Sequence, residues 1–317
     1  MALGMLVDGE WKTARDQEDE QGRFVRPSTS FRDWVTADGS SGYPAEAGRY
    51  HLYIAWACPW AHRTAIFRKL KGLEEVISLS SVAPYMGEGG WAFSQEQPDD
   101  LNGAGYLREV YTLADPDYTG RVTTPILWDK KTGTIVNNES REIINMLDTE
   151  FGKLATTDAD FYPEDLRGEI ENVMDAIYNP INNGVYRAGF ATKQVAYEEA
   201  VTELFDALDH WESMLGGQRY ICGDLITEAD WCMFTTLVRF DAVYFGHFKC
   251  NLRRIVDYPN LWGYLKDLYQ QPGVAETVKL GQIKEHYYTS HESVNPTGIV
   301  PLGPEIDFDE PHDRERL

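Results

Sequence analysis

The arrangement in this chain best placed for chemistry is a single thiol lying between a strand and a helix. Cys58 follows Tyr50-His51-Leu52-Tyr53-Ile54-Ala55-Trp56, a run of strand formers, and precedes Pro59 and a helical pattern over residues 61–71. Its sulfur then lies at the positive end of the helix dipole, where free backbone amides suit an anion. An ordinary thiol, with a pKa near ~8.5, is only a few per cent ionised at neutral pH, and a helix start can lower that value. The thiolate is the nucleophile, so this position favours reactivity. In Cys58-Pro59-Trp60-Ala61 the fourth residue is alanine. No internal disulfide can form there, and a second thiol must come from solution. An isolated cysteine is ordinarily a small core residue, but the Cys-Pro junction of a strand and a helix favours the nucleophile.

A second candidate is Asn138-Glu139-Ser140, at the opening of a later helix. Ser140 can cap that helix, whose free amides suit a carboxylate, and Glu139 can hold an ammonium. A γ-glutamyl group carries both charges; a plain helix cap explains the same residues as well. The other cysteines, Cys222, Cys232 and Cys250, form no C-x-x-C pair and read as inert buried thiols. His247-Phe248-Lys249-Cys250 and His286 with His291 match no common zinc spacing, so no metal is expected. His62 and Arg63, just past Cys58, could tune its charge, although a solvated helix face is the commoner outcome.

The elements that must position these residues follow from periodicity. Residues 1–45 are polar and irregular and read as an N-terminal arm, with breakers at Arg26-Pro27-Ser28 and Asp38-Gly39-Ser40. Strands are expected at 50–56 and 75–82, with a helix between them that Gly72 stops. A loop over 83–102, a helix at 105–114, a strand at 121–128, a hairpin partner at 134–136 and a helix at 140–151 complete a thioredoxin-like α/β domain over 46–152. In such folds a proline at the start of the third strand faces the reactive cysteine and is commonly cis; here it is Pro125, after Thr124. A polar linker ends at 163. Residues 163–290 read as all-helical, with an amphipathic helix over 193–215 and Thr227-Glu228-Ala229-Asp230 as a capping arrangement before another. The proline-rich residues 291–317 read as an extended arm.

Composition bounds the function. The 317 residues hold 29 basic and 51 acidic side chains, a formal charge of −22. Nucleic-acid binding is therefore disfavoured, as are anionic membrane surfaces. No apolar run reaches a membrane span, and Met1 to Asp8 lacks the basic and apolar regions of a secretory signal. Four cysteines in a chain of this size fit a reduced cytoplasmic protein. The acidity fits salt adaptation or plain solubility equally.

With these residues in place, the chain resembles the glutathionyl-hydroquinone reductases, the xi class of the glutathione transferase superfamily. The likeness covers nearly the whole length. It is carried by Arg49-Tyr50-His51-Leu52-Tyr53, Cys58 to Thr64, Gly90-Trp91, Gly120-Arg121-Val122-Thr123 and Asn138-Glu139-Ser140. It continues in Asn182-Asn183-Gly184-Val185-Tyr186, Arg239-Phe240-Asp241, His247 to Cys250, His286-Tyr287 and Asn295 to Ile299. The resemblance implies a thioredoxin-like domain followed by a helical domain, in a homodimer. It implies Cys58 as nucleophile, with glutathione held by Trp91, Arg121, Val122, Thr124, Glu139 and Ser140. It places Tyr186, Tyr244 and Tyr287 over the hydroquinone; chemically, a hydroxyl such as that of Tyr186 can act as acid/base, and Tyr244 and Tyr287 can stabilise the thiolate or bind the hydroquinone. Tyr288 is the neighbour most easily confused with Tyr287. γ-Glutamylcysteine would satisfy Glu139 and Ser140 as well as glutathione does. The rival readings are a general thiol transferase using Cys58, a non-catalytic protein that binds apolar ligands, and a partner-binding role in which the thiol is incidental.

Overall fold

β-Branched and aromatic side chains at residues 50–54 favour extended backbone, and all five of these residues are buried. They form the central strand of the main sheet in the computed structural model, which describes residues 4–13 and 18–317. Parts of the expected N-terminal arm, and the Met1 to Leu3 start weighed as a possible signal, lie outside the described residues. The chain divides into two units.

The first unit comprises residues up to 16, 27–159 and 281–291. Its described part begins not as an irregular arm but as a hairpin of β1 (Gly4–Val7) and β2 (Glu10–Thr13). Asp8 and Gly9 both have positive φ, at 51° and 75°, the two-residue turn that fits the twist of a hairpin. The main sheet holds β3 (Tyr50–Ile54) and, after helix α1 (Pro59–Leu70), β4 (Ser78–Ser81). A short hairpin of β5 (Met86–Gly87) and β6 (Gly90–Trp91) lies inside the region expected to be loop. Helix α2 (Leu107–Ala114) follows.

The strand expected over 121–128 is divided in two. β7 (Gly120–Arg121) pairs with β1, and β8 (Ile126–Asp129) pairs with β3. The loop between them is held by side chains instead of a ladder: the Tyr111 hydroxyl donates to the Thr123 carbonyl at 3.0 Å and accepts from its N–H at 3.2 Å. β9 (Thr134–Asn137) and helix α3 (Ser140–Thr149) complete the series. The sheet order is β4-β3-β8-β9, with β3 parallel to β4 and antiparallel to β8, which is the expected thioredoxin-like arrangement. The unit also holds two buried ion pairs, Lys71 with Asp148 at 2.6 Å between α1 and α3, and Arg49 with Asp129 at 2.6 Å at the end of β8.

The second unit comprises residues 17–26, 160–280 and 292–317. It is helical: α4 (Arg167–Ile177), α5 (Gly184–Gly189), α6 (Gln194–Met214), α7 (Glu228–Arg239) and α8 (Pro259–Tyr269). Asp230 acts as the sequence suggested, accepting the Thr227 N–H at 2.8 Å, and also receives the Tyr264 hydroxyl at 2.8 Å. Two widened, π-type turns interrupt the helices, at Tyr178–Asn182 and Phe240–Tyr244. Residues 292–317 are irregular and close with a 3₁₀ turn, Arg314–Arg316, whose Arg314, 1% exposed, donates to the carbonyls of Leu215, Gln218 and Arg219 at 2.6–2.7 Å.

The division differs from the contiguous one expected. Helix α9 (Leu280–Ser290), assigned by pattern to the helical domain, groups from Gly281 onward with the first unit. Its Ser290 hydroxyl accepts the Met86 N–H at 2.9 Å, and Pro84 O lies 2.8 Å from His286 Nδ1. Residues 17–26, expected to belong with the rest of the N-terminal arm, group with the helices instead.

Candidate active site

Cys58 is the N-cap of α1, with extended backbone (φ −75°, ψ 120°) and Pro59 just inside the helix. A proline is tolerated there because the first helical amides have no intrahelical partner. The Cys58 carbonyl accepts the His62 N–H at 2.9 Å, which fixes the residue at the start of the helix. Its side chain is half-buried against the core of the first unit, and Sγ lies 3.5 Å from the Thr124 carbonyl oxygen. The Thr124–Pro125 peptide is cis, as the third-strand position suggested. Thr124 is buried, and its Oγ1 has no hydrogen-bond partner.

The remaining cysteines differ from Cys58 in solvation. Cys222 and Cys250 are buried, and desolvation pushes the Cys222 thiol up to about 11 and that of Cys250 higher still. Cys232 is 2% exposed, with its sulfur 3.8 Å from that of Met174. Brief treatment of the native protein with iodoacetamide at neutral pH is therefore expected to alkylate Cys58 alone, read by peptide mass spectrometry. Comparable labelling of Cys222 or Cys250 would contradict this ordering.

At the opening of α3 the cap is Glu139, not Ser140: the Glu139 carboxylate accepts the Arg141 N–H at 3.3 Å, and Ser140 is the first helical residue. Thr29 Oγ1 and the Ser140 hydroxyl also donate to Glu139, at 3.3 and 3.4 Å. Asn138, just before them, accepts the Phe31 N–H through Oδ1 at 3.2 Å and donates to the Tyr111 hydroxyl at 3.1 Å. Tyr111 thus joins the Thr124 loop to the start of α3.

His62 and Arg63 are buried, at 0% and 4% exposure, so the solvated face expected for them is not found. The α1 helix packs against α3 on that side, and Arg63 donates to the Ser140 hydroxyl at 3.4 Å. The Arg63 guanidinium also lies 4.6 Å from the Trp60 ring centroid. The contact of this cation with Ser140 was not foreseen, because an arginine one turn into a helix ordinarily points to water.

Trp91 ends the short hairpin β5–β6 and stacks on His286, with centroids 4.6 Å apart and planes 23° from parallel. Arg121 lies on β7, and Val122 packs partly buried against the core. Tyr287 is 1% exposed and meets His286 and His291 edge-on. Tyr288 is half-buried. All of these residues belong to the first unit.

Tyr186 and Tyr244 belong to the second. Each follows or ends one of the widened turns, a feature that often marks functional positions in helices. Their ring centroids are 6.1 Å apart. Tyr244 is fully buried and stacks on Phe248 at 5.6 Å, whereas Tyr186 is half-buried. A Cβ on Gly189 would lie 2.2 Å from the Phe248 ring, so only glycine lets that ring sit where it does. Among the described residues no group of three His, Cys, Asp or Glu side chains is arranged to hold a metal ion. No helix among them is long and apolar enough to cross a membrane.

The chain is similar over most of its length to known proteins. The family model for the glutathione S-transferase N-terminal domain matches residues 57–150, and that for the C-terminal domain matches residues 194–267. The chain is 51% identical to the glutathionyl-hydroquinone reductase YqjG of Escherichia coli, covering 99% of both proteins. It is 54% identical to the glutathionyl-hydroquinone reductase PcpF of Sphingobium chlorophenolicum, over 95% of this chain and 96% of that one. The Xi-class transferase structure from Natrialba magadii superposes with a TM-score of 0.94 at 54% identity, covering 100% of this chain and 98% of its own. The glutathione-bound structure of YqjG superposes with a TM-score of 0.89 at 52% identity, covering 90% of this chain and 97% of its own.

Proposed function

As the chain belongs to the xi class of the glutathione transferase superfamily, we propose that it is a glutathione-dependent reductase that converts glutathionyl-hydroquinones to hydroquinones. The observation that carries this reading is the Cys58 sulfur at the head of α1, 3.5 Å from the carbonyl before a cis proline, with Ala61 where a resolving cysteine would stand.

Trp91, Arg121, Val122, Thr124, Glu139 and Ser140 hold the glutathionyl moiety. Glu139 and Ser140, at the helix start, receive the ammonium and carboxylate of its γ-glutamyl end. The aromatic carbon is a poor leaving group from sulfur, so the ring first changes tautomer. Tyr186 gives its proton to the ring carbon that bears sulfur and takes up the proton of a ring hydroxyl, which becomes a carbonyl. The Cys58 thiolate then attacks the glutathionyl sulfur. The carbon–sulfur pair returns to the ring, the carbonyl oxygen becomes a phenolate, and solvent protonates it to hydroquinone. Cys58 now carries glutathione as a mixed disulfide. The thiolate of a second glutathione attacks that disulfide, releasing the oxidised dimer and the Cys58 thiolate. Tyr244 and Tyr287 donate hydrogen bonds that favour the ionised sulfur. The chain works as a cytoplasmic homodimer, and γ-glutamylcysteine can replace glutathione at the same residues.

The test is a comparison of kcat/KM on 2-glutathionyl-hydroquinone and on the mixed disulfide of glutathione with 2-mercaptoethanol. The quinol substrate is expected to be preferred. A clear preference for the mixed disulfide would make the protein a general thiol transferase.

A further inference from the structure

The short segment that precedes Pro27 is fastened to the helical unit by a series of polar contacts. The Glu20 carbonyl accepts Lys193 Nζ at 2.5 Å, and the Gly22 carbonyl accepts the Thr192 N–H at 3.1 Å. Arg23 donates twice to Glu199, at 2.8 and 3.0 Å. Phe24 packs on Phe190, with centroids 5.4 Å apart. The segment therefore has one register against α5 and α6, and that register delivers Arg26 to Tyr186.

The Arg26 guanidinium carbon stands 5.0 Å from the Tyr186 ring centroid. Its Nε donates to Asn183 Oδ1 at 2.8 Å. Asn183 is buried, and its carbonyl accepts the Tyr186 N–H at 3.0 Å. One side chain thus grips the residue that starts α5 and lies across the ring that α5 presents. A guanidinium near an aromatic face is attracted to it and restrains its rotation. Its positive charge also favours a negative charge on the phenol oxygen over a neutral hydroxyl.

We propose that Arg26 is a positioning residue for the hydroquinone step, holding the Tyr186 ring and offsetting the charge left on its oxygen while its proton is on the substrate ring. This inference builds on the reading of Tyr186 as acid/base. It confines the role of Arg26 to substrates that need a proton on carbon. Reduction of a plain mixed disulfide needs none.

The experiment measures Arg26→Met and Arg26→Lys on both substrates named above, with thermal midpoints to follow folding. Arg26→Met is expected to lose roughly 10-fold in kcat on the glutathionyl-hydroquinone and to reduce the mixed disulfide at close to the wild-type rate. Arg26→Lys, which keeps the charge, is expected to recover part of the loss. In a cycle with Tyr186→Phe, the double variant is expected to be no slower than Tyr186→Phe itself. Equal losses on both substrates would make Arg26 merely structural and overturn the inference, as would full activity of Arg26→Met or additive losses in the cycle. Undiminished hydroquinone activity of Tyr186→Phe would instead overturn the reading of Tyr186, and this inference with it.

Discussion

Cys58→Ser is expected to lower the rate of hydroquinone release from a glutathionyl-hydroquinone by more than about 10³-fold. The serine hydroxyl is not ionised near neutral pH and has no affinity for a divalent sulfur, so neither attack nor a stable mixed bond follows. Glutathione should still bind. The proposed ligands Trp91, Arg121, Glu139 and Ser140 are placed by β6, β7 and the start of α3, none of which depends on the sulfur atom. Rapid-quench measurement of hydroquinone, paired with calorimetric titration of glutathione, separates the two effects. A variant that binds glutathione and turns over within tenfold of the parent would show that another group carries the reaction. The non-catalytic reading predicts no turnover by either protein.

The second large effect is on stability. Arg49→Met is expected to destabilise the first unit by about 3–5 kcal/mol, because it leaves a buried carboxylate without its partner. Arg49 meets Asp129 through two hydrogen bonds, at 2.8 and 2.6 Å, and the side chains are 7% and 0% exposed. Asp129 also accepts the Thr132 hydroxyl at 2.7 Å and the Lys131 N–H at 3.0 Å, so it organises the turn between β8 and β9. Burial pushes its carboxyl up, and these hydrogen bonds together with the guanidinium charge outweigh that, leaving it below the usual carboxylate range. The corresponding stability is fully present above the unfolded carboxylate value near ~3.9 and is lost as pH falls through the lower folded value. In Arg49→Met most of that acid sensitivity should vanish along with the stability. Thermal melts at pH 7 and between pH 3 and 5 read both, with a fall in midpoint on the order of 10 °C at neutral pH. An unchanged midpoint would show that Asp129 finds other partners at no cost.

What could be read in advance follows a physical division. The Cys58 junction was legible because proline, alanine and the apolar run that precedes them are local signals. Pro125 was legible for the same reason. The opening hairpin was not, since its strands are four residues each and much of β2 faces water; only Asp8-Gly9 announced it. The split between β7 and β8 was hidden because the cause, the Tyr111 hydroxyl, sits a helix away in sequence. The burial of Arg63 depended on α3 packing over α1, which no pattern within α1 records. The cap of α3 was misplaced by one residue: Glu139 and Ser140 are both able to receive an amide proton, and backbone geometry decides between them. Arg26 was visible only as the residue before a proline, with nothing local to tie it to Tyr186.

The return of residues 281–291 to the first unit bears on how the protein is made. His286, the stacking partner of Trp91, is synthesised roughly 200 residues after it, an interval of about 10–40 s at ordinary elongation rates. During that time the indole and the Met86 amide wait without the partners that later cover them. A nascent chain therefore carries an unfinished first unit while its helical unit is emerging, and residue 267, where the second family match ends, is too early a point at which to sever it.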